Sequence, residues 1–165
     1  MTHKHTHTCA IAGMLNIFGD HWTWLVVREA FYGATRFKDF QRNTGISRNL
    51  LTHRLSVLVD EGIFRKTDIG TQGTRFAYEL TDKGRSLQPV LAAMTLWGNE
   101  HVFGADNEPV VMVDQTSGLR VEAMQPVNAR GRKVRPENIV AMPGPGASKA
   151  TIRRLEEAAT QDGVG

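Results

Sequence analysis

Residues 36–62 read RFKDFQRNTGISRNLLTHRLSVLVDEG, and their pattern predicts two short helices joined by a tight turn. Phe37 and Phe40 lie on one face of a short predicted helix that Gly45 ends, and Ser47 is a good N-cap for a second helix. The second helix carries an apolar stripe at helical spacing, formed by Leu51, Leu55 and Leu58. Two helices joined by a Gly-Ile-Ser turn are typical of a helix-turn-helix pair.

Helical patterns precede this pair and strand-like patterns follow it. Amphipathic helices are predicted within CAIAGMLNIFG (9–19) and HWTWLVVREAFYG (21–33). IFRKTDI (63–69) and TRFAYEL (74–80) are typical of two strands, and the GTQG between them predicts a hairpin. Helices followed by a helix-turn-helix and a hairpin indicate a winged helix-turn-helix of the α+β class.

Composition divides the chain near residue 105. We predict a flexible, His-containing N-terminus over 1–8 and a winged helix-turn-helix domain for DNA binding and dimerisation over 9–104. The helix-turn-helix falls at about 36–60 and the wing at about 63–80. A long helix capped by Thr81 is expected to run to about His101. Residues 105–165 alternate β-branched residues with Gly and Pro, which predicts a small β-rich extension of short strands that ends in a tail helix.

The composition of the 165 residues limits the class of protein. Apolar residues make up 41% and charged residues 22%, as in ordinary soluble domains, and no run is long enough to span a membrane. A single cysteine, Cys9, excludes an intramolecular disulfide and a Cys-rich zinc site, and a reducing cytoplasm is the expected compartment. The net charge of +3 and a pI of about 9.3 favour an anionic partner.

The exposed face of the second helix carries the candidate base-reading residues. With the leucine stripe buried, polar side chains near the helix N-terminus would face the major groove of double-stranded DNA. Arginine suits guanine, asparagine suits adenine and threonine suits the thymine methyl group. The alternative is a winged-helix protein–protein adaptor, which would place apolar residues on this face. The candidates are Ser47, Arg48, Asn49, Thr52 and His53.

Basic residues are concentrated around this helix pair. Residues 34–85 hold ten Lys and Arg against six Asp and Glu, a local charge of +4 (10 − 6), so the rest of the chain is near neutral. Such a charge suits phosphate contacts, although an ordinary mixed surface is the alternative. The candidate phosphate contacts, which flank the pair or lie on the wing, are Arg36, Arg54 and Arg75.

The stretch from Cys9 to Gly98 resembles the HxlR-type family of winged helix-turn-helix transcription regulators. The resemblance covers about ninety residues in order, so it is more specific than a single motif. The resemblance rests on the following residues: Cys9, Gly19, Trp22-Thr23, Arg36-Phe37, Phe40, Gly45-Ile46-Ser47, Leu51, Leu55, Leu58, Gly62, Tyr78-Glu79-Leu80-Thr81, Gly84, Leu87, Pro89 and Trp97.

The resemblance implies a homodimer built from the N-terminal and long C-terminal helices. It also implies binding to a roughly palindromic operator and action as a local repressor or activator. Two departures stand out: Asp20-His21 replaces a more usual small residue and lysine, and the tail lacks the cysteine pairs of some relatives. Independently of the resemblance, Val90, Leu91, Met94 and Trp97, with Ile11, Leu15 and Phe18, supply apolar surface for a dimer.

Cys9 is the remaining candidate functional residue. Some members of the resembled family sense electrophiles or oxidants through a cysteine at the matching place, which makes Cys9 a candidate sensor; packing under Trp22 is the alternative. His3, His5 and His7 alternate with Cys9, but a mobile His-rich end is favoured over a metal site, so no metal or cofactor is expected. We found no catalytic constellation, so the chain is not expected to be an enzyme. A small-molecule effector bound by the tail would add to DNA binding.

Overall fold

The computed structural model describes residues 9–71 and 75–161. In these residues helices precede and follow a two-stranded antiparallel sheet. The helices are α1 (Ala10–Phe18), α2 (His21–Phe31), α3 (Phe37–Thr44), α4 (Arg48–Asp60), α5 (Asp82–Arg85), α6 (Gln88–Gly98) and α7 (Lys149–Gln161). The strands are β1 (Phe64–Asp68) and β2 (Phe76–Leu80). A π-helical turn (Asn99–Phe103) and a 3-10 turn (Pro136–Asn138) complete the regular structure of these residues.

The hydrophobic core lies beneath α4. The predicted stripe of Leu51, Leu55 and Leu58 is buried, which confirms that the opposite face of α4 is the exposed one. Phe40 of α3 and Phe64 of β1 pack in the same core, with ring centroids 6.0 Å apart. Helix α4 is therefore held between α3 and the sheet with its polar face outward.

The turn between α3 and α4 has the predicted chemistry. Gly45 ends α3 with φ +74°, in the left-handed region that glycine adopts without strain. Ser47 then caps α4, because its hydroxyl oxygen accepts a hydrogen bond from the backbone N–H of Leu50 at 3.4 Å. The helix-turn-helix predicted at about 36–60 is thus confirmed as α3 and α4.

The predicted hairpin is the antiparallel pair β1–β2. Phe64 is opposite Leu80 at one end of the register and Asp68 is opposite Phe76 at the other. The segment before α3 pairs with β2 as a short third, strand-like segment. The N–H of Tyr78 donates to the carbonyl of Thr35 at 2.8 Å, and Arg36 forms an isolated antiparallel bridge with Ala77. The sheet is therefore a winged-helix wing whose base is joined to the start of α3.

The single long helix expected from Thr81 to about His101 is wrong. Thr81 caps only the short α5, through its hydroxyl oxygen and the N–H of Gly84, and α6 begins separately at Gln88. Pro89 explains the break, because it has no N–H for the carbonyl of Arg85 and its ring would clash there in a continuous helix.

The C-terminal extension contains less regular structure than its sequence indicates. In its described part the expected short strands occur only as two isolated antiparallel bridges, Val113 with Arg120 and Val127 with Lys133, whereas the tail helix is present as α7. Most apolar side chains of the extension are exposed, so little burial is available to extend the bridges into strands. Asn99 fixes the start of the extension by donating from Nδ2 to the carbonyl of Val110 at 2.8 Å.

Candidate nucleic-acid interface

The five candidate base-reading residues share the exposed face at the N-terminal end of α4. Ser47, Arg48 and Asn49 are consecutive and exposed, and Thr52 and His53 are exposed one turn later. The Thr52 hydroxyl donates to the carbonyl of Arg48 at 2.9 Å. Among the described residues, no side-chain hydrogen bond engages Asn49 or His53. The structure thus brings these five residues together on a polar surface.

A basic cleft lies beside this end of α4, between α3 and strand β2 of the wing. Its volume is about 730 Å³. Four cationic side chains line the cleft and no carboxylate of the described residues does, so its local potential is positive. The cleft contains two of the three predicted phosphate contacts. Its lining residues are Arg36, Lys38, Arg48, Arg75, Gln41, Phe37, Phe76 and Tyr78.

Aromatic side chains support two of the cations at this surface. The guanidinium carbon of Arg48 lies 5.7 Å from the centroid of the Phe37 ring. On the wing, Nζ of Lys66 lies 3.7 Å from the centroid of Phe76. Cation–π contacts of this kind hold a charged group near one position without neutralising it. The two cations therefore remain available to an anionic partner.

Lys38 and Gln41 are cleft residues that the sequence interpretation did not select. They lie three residues apart on the polar side of α3, opposite the buried Phe40. That spacing is visible in the sequence and places both side chains on one face of α3. What the sequence could not show is that the wing closes against the same side of α3.

Arg54 does not lie with the other predicted phosphate contacts. Its side chain is only 16% exposed, and its Nε lies 3.3 Å from Oδ1 of Asp20, the N-cap of α2. Asp20 also accepts hydrogen bonds from the N–H and the hydroxyl of Thr23. In this structure Arg54 therefore joins α4 to the start of α2 instead of presenting its charge at the surface.

Cys9 is the N-cap of α1 and its side chain is half-buried. The nearby backbone N–H groups of Ala12 and Ile11 lower the pKa of its thiol, and the charge of Arg154 in α7 lowers that pKa further. A thiol in this setting is ionised more readily, and the thiolate is the reactive form. The surroundings of Cys9 thus fit the chemistry of a reactive cysteine.

His3, His5 and His7 lie outside the described residues. Within residues 9–71 and 75–161, no cluster of three or more His, Cys, Asp or Glu side chains could hold a metal ion. None of the helices in the same ranges is long and apolar enough to cross a membrane.

Comparison with known proteins agrees with the fold. The HTH-type transcriptional regulator Rv3095 of Mycobacterium tuberculosis is 31% identical over 137 residues, which cover 83% of this chain and 87% of that protein. The crystal structure of the transcription factor PA1607 superposes with a TM-score of 0.76 at 35% identity, covering 87% of this chain and all of PA1607. The redox regulator HypR, in its reduced form, matches 55% of this chain and 90% of its own, at 27% identity and a TM-score of 0.51.

The family assignment follows from a match over most of the winged domain. The pattern that defines the HxlR-like helix-turn-helix family fits residues 17–105, which include the helix-turn-helix, the wing and α6. PA1607 extends the similarity into the C-terminal extension, since its match covers much more of the chain than those residues. The chain therefore belongs to the HxlR-like helix-turn-helix family and is a transcriptional regulator of the helix-turn-helix type.

Proposed function

We propose that this protein is a sequence-specific DNA-binding repressor that acts in the cytoplasm as a homodimer on a roughly palindromic operator. The observation that carries the proposal is the position of the basic cleft directly beside the exposed, polar N-terminal end of α4. A helix end that can enter the major groove thus lies next to cations that can hold the adjoining phosphates.

The exposed face of α4 reads bases. Arg48 donates to the N7 and O6 acceptors of a guanine, and Asn49 makes a bidentate contact with an adenine. Thr52 presents its methyl group to a thymine methyl, while Ser47 and His53 contact base edges or the adjoining backbone. An adaptor would instead expose apolar side chains here, and these five residues are all polar.

The cations of the cleft and the wing bind phosphates. Arg36 and Arg75 hold the DNA backbone at the cleft beside α4, and Lys38 joins them. Each neutralised phosphate releases counterions, so binding weakens as salt rises. Arg54 is paired with Asp20, so in the proposed complex it positions α4 on α2 and makes no phosphate contact.

Exposed apolar side chains on α1 and α6 form the dimer surface. Ile11 and Trp97 are 71% and 61% exposed, and Leu15, Val90 and Met94 are exposed on the same two helices. Apolar exposure of this kind is characteristic of surfaces that bind another chain. Phe18 and Leu91 pack against the core, so they contribute less to the dimer than the sequence indicates. A twofold axis between the α6 helices would place two copies of α4 about one DNA turn apart, on the order of 34 Å.

Cys9 is the proposed sensor of an oxidant or electrophile. Its thiol pKa is lowered at the start of α1, which belongs to the proposed dimer surface, and the similar protein HypR is a redox regulator. Because the chain has one cysteine, oxidation would link Cys9 to the second subunit or to a small thiol. Either product would alter the α1 packing that sets the separation of the two α4 helices.

Footprinting on the DNA upstream of the protein's own gene tests the proposal. We expect protection of two related half-sites whose centres lie about 10 base pairs, or a multiple of one helical turn, apart. Protection should disappear as salt is raised. Uniform weak protection along the fragment, without a preferred site, would contradict sequence-specific recognition.

A further inference from the structure

A second cavity lies away from the basic cleft, between α2, α6 and the first residues of the extension. Its volume is about 390 Å³, within the range that small ligands occupy in proteins. Residues 110–112 close the third side, where Asn99 holds the carbonyl of Val110. We call this cavity the α2–α6 groove. Its walls are mainly apolar and include Trp24, Leu25, Phe31, Leu91, Ala92 and Met112.

One charged side chain, Arg28, lines the groove. Its Nε and Nη2 donate to the same oxygen of Glu29, Oε1, at 3.1 and 2.7 Å, and its guanidinium carbon lies 5.8 Å from the centroid of the Tyr32 ring. Among the described residues, Nη1 of Arg28 has no hydrogen-bond partner. The guanidinium is thus fixed along one edge by Glu29, while the Nη1 N–H groups can donate to a further anion.

We propose that the α2–α6 groove binds a small apolar carboxylate as the effector of this regulator. The carboxylate pairs with the unoccupied donors of Arg28, and an aromatic or aliphatic body fills the space between Trp24, Leu91 and Met112. The ligand site stands independently of DNA binding, whereas its role as an effector site rests on the function proposed above.

Contacts behind Arg28 connect the groove to the helix-turn-helix. Glu29 is buried, and its second oxygen, Oε2, accepts a hydrogen bond from Nδ2 of Asn43 at 2.8 Å. Asn43 lies in the last turn of α3. A carboxylate on Nη1 of Arg28 shares the guanidinium with Glu29 and weakens its hold on Oε1, and a change at Glu29 reaches α3 through one hydrogen bond. At its other end α2 is tied to α4 through Asp20 and Arg54.

A second copy of the chain is the competing occupant, because Met94 borders the groove and also belongs to the proposed dimer surface. The apolar side chains that α6 exposes would fill the cavity but offer no acceptor to Nη1 of Arg28. An anionic ligand satisfies both the shape and the charge of the groove. We therefore assign the groove to a carboxylate and treat filling by the partner as an outcome of the test.

The binding test compares naphthalene-1-acetate with the neutral naphthalene-1-acetamide, which has nearly the same shape. Titration calorimetry on the full chain without DNA should show the acid binding about tenfold more tightly, the equivalent of about 1.4 kcal/mol from a charge-assisted pair. Arg28→Gln should remove that preference. Met112→Glu should lower the affinity for the acid more than the affinity for the amide. Arg130→Gln, an exposed arginine of the extension, is the matched control and should change neither affinity.

Equal affinity for acid and amide in the wild type, or a preference that survives in both Arg28→Gln and Met112→Glu, would overturn the site. Absence of binding to the wild type, together with dimer dissociation in Met112→Glu, would assign the groove to the partner chain instead. Met112→Glu leaves the Arg28–Glu29 pair intact, so the test remains valid if Arg28→Gln does not fold.

The regulatory role is tested by operator affinity with and without saturating naphthalene-1-acetate. We expect at least a fivefold change in the wild type and a smaller change in Asn43→Ala and in Glu29→Gln, which interrupt the path to α3. By reciprocity, operator DNA should change the affinity for the acid by the same factor. Ligand binding without any change in operator affinity would overturn the effector role. If the protein without ligand fails to bind DNA, the proposed DNA-binding function is refuted, but the ligand site is not.

Discussion

At the scale of single residues, Arg54 and Arg75 show how the same type of side chain takes different roles in different surroundings. Arg54 is mostly buried beside Asp20, whereas Arg75 is exposed in the basic cleft, at the loop end of β2. A paired, buried cation contributes to folding, and an exposed one is available to phosphate. Substitution of the two arginines should therefore separate stability from DNA affinity.

Arg75→Ala should weaken binding to all DNA sequences alike and reduce the slope of log affinity against log salt by about one, because one phosphate contact is lost. Arg54→Ala should leave that slope unchanged and lower the free energy of unfolding by about 1–3 kcal/mol, because Asp20 loses its charged partner. Salt titrations of DNA binding and urea unfolding of both variants measure these effects. The assignment fails if Arg54→Ala changes the slope and Arg75→Ala does not.

Cys9 should react faster than an ordinary thiol. The backbone N–H groups of Ala12 and Ile11 lower the pKa of its thiol, so a larger fraction is thiolate at any pH below the usual value. Near pH 7, iodoacetamide should alkylate Cys9 faster than it alkylates the thiol of glutathione. The difference between the two rates should shrink as the pH rises and both thiols ionise. Diamide should reduce operator binding of the wild type and spare Cys9→Ser. Equal effects of diamide on both proteins would remove Cys9 as the sensor.

Individual residues also show how far the sequence could be interpreted. The positions of Ser47, Arg48 and Asn49 on the exposed face follow from the spacing of the leucine stripe, which is local information. The Asp20–Arg54 pair joins residues that are distant in the chain, and no periodicity indicates it. The basic cleft is similar, because it depends on how closely the wing approaches α3.

At the scale of elements, the sequence predicts starts and stops well where a cap or glycine marks them. Gly45 and Ser47 set the turn between α3 and α4 where expected. The expected long C-terminal helix was wrong because its apolar spacing continues across Pro89, while the missing N–H of that proline breaks the helix. A local backbone constraint prevailed over hydrophobic periodicity there.

Gly45 is the element-scale test of the turn. With φ +74° it occupies a conformation that disfavours any residue with a Cβ, so Gly45→Ala should cost roughly 1–2 kcal/mol of unfolding free energy. Gly13→Ala is the matched control, because an added Cβ within α1 meets no neighbouring atom, and it should stabilise by about 0.5–1 kcal/mol. Thermal or urea unfolding measures both changes. Similar effects of the two substitutions would contradict the assigned turn.

At the scale of the whole molecule, the apolar faces of α1 and α6 remain to be covered. Their exposure could be partly predicted, but Phe18 turns into the core and Leu91 packs against it, so the surface is smaller than the sequence indicates. The extension was least predictable, because its segments have few apolar neighbours and are fixed by individual contacts such as Asn99 with Val110. Such contacts leave no periodic pattern in the sequence.

Trp97→Asp should convert the dimer to a monomer. It places a carboxylate at an exposed position, 61% accessible, within the proposed surface, where dimer formation would bury it without a partner. Leu119→Asp, at a 70% exposed position in the extension, is the matched control and should stay dimeric. Sedimentation velocity at micromolar concentration distinguishes the two states. A wild type that sediments only as a monomer would refute the dimer.

Sequence-specific DNA binding is tested most directly by the ratio of the affinities for the protein's own upstream operator and for a scrambled duplex of equal length. We predict a ratio of about 10³ or more for the wild type, measured by fluorescence anisotropy at physiological salt. Arg48→Ala and Asn49→Ala should each cost about 1–3 kcal/mol on the operator and relax the preference at one base pair, whereas Ser56→Ala, farther along the exposed face of α4, should change nothing. A ratio that both substitutions leave at its wild-type value would contradict base reading by this helix.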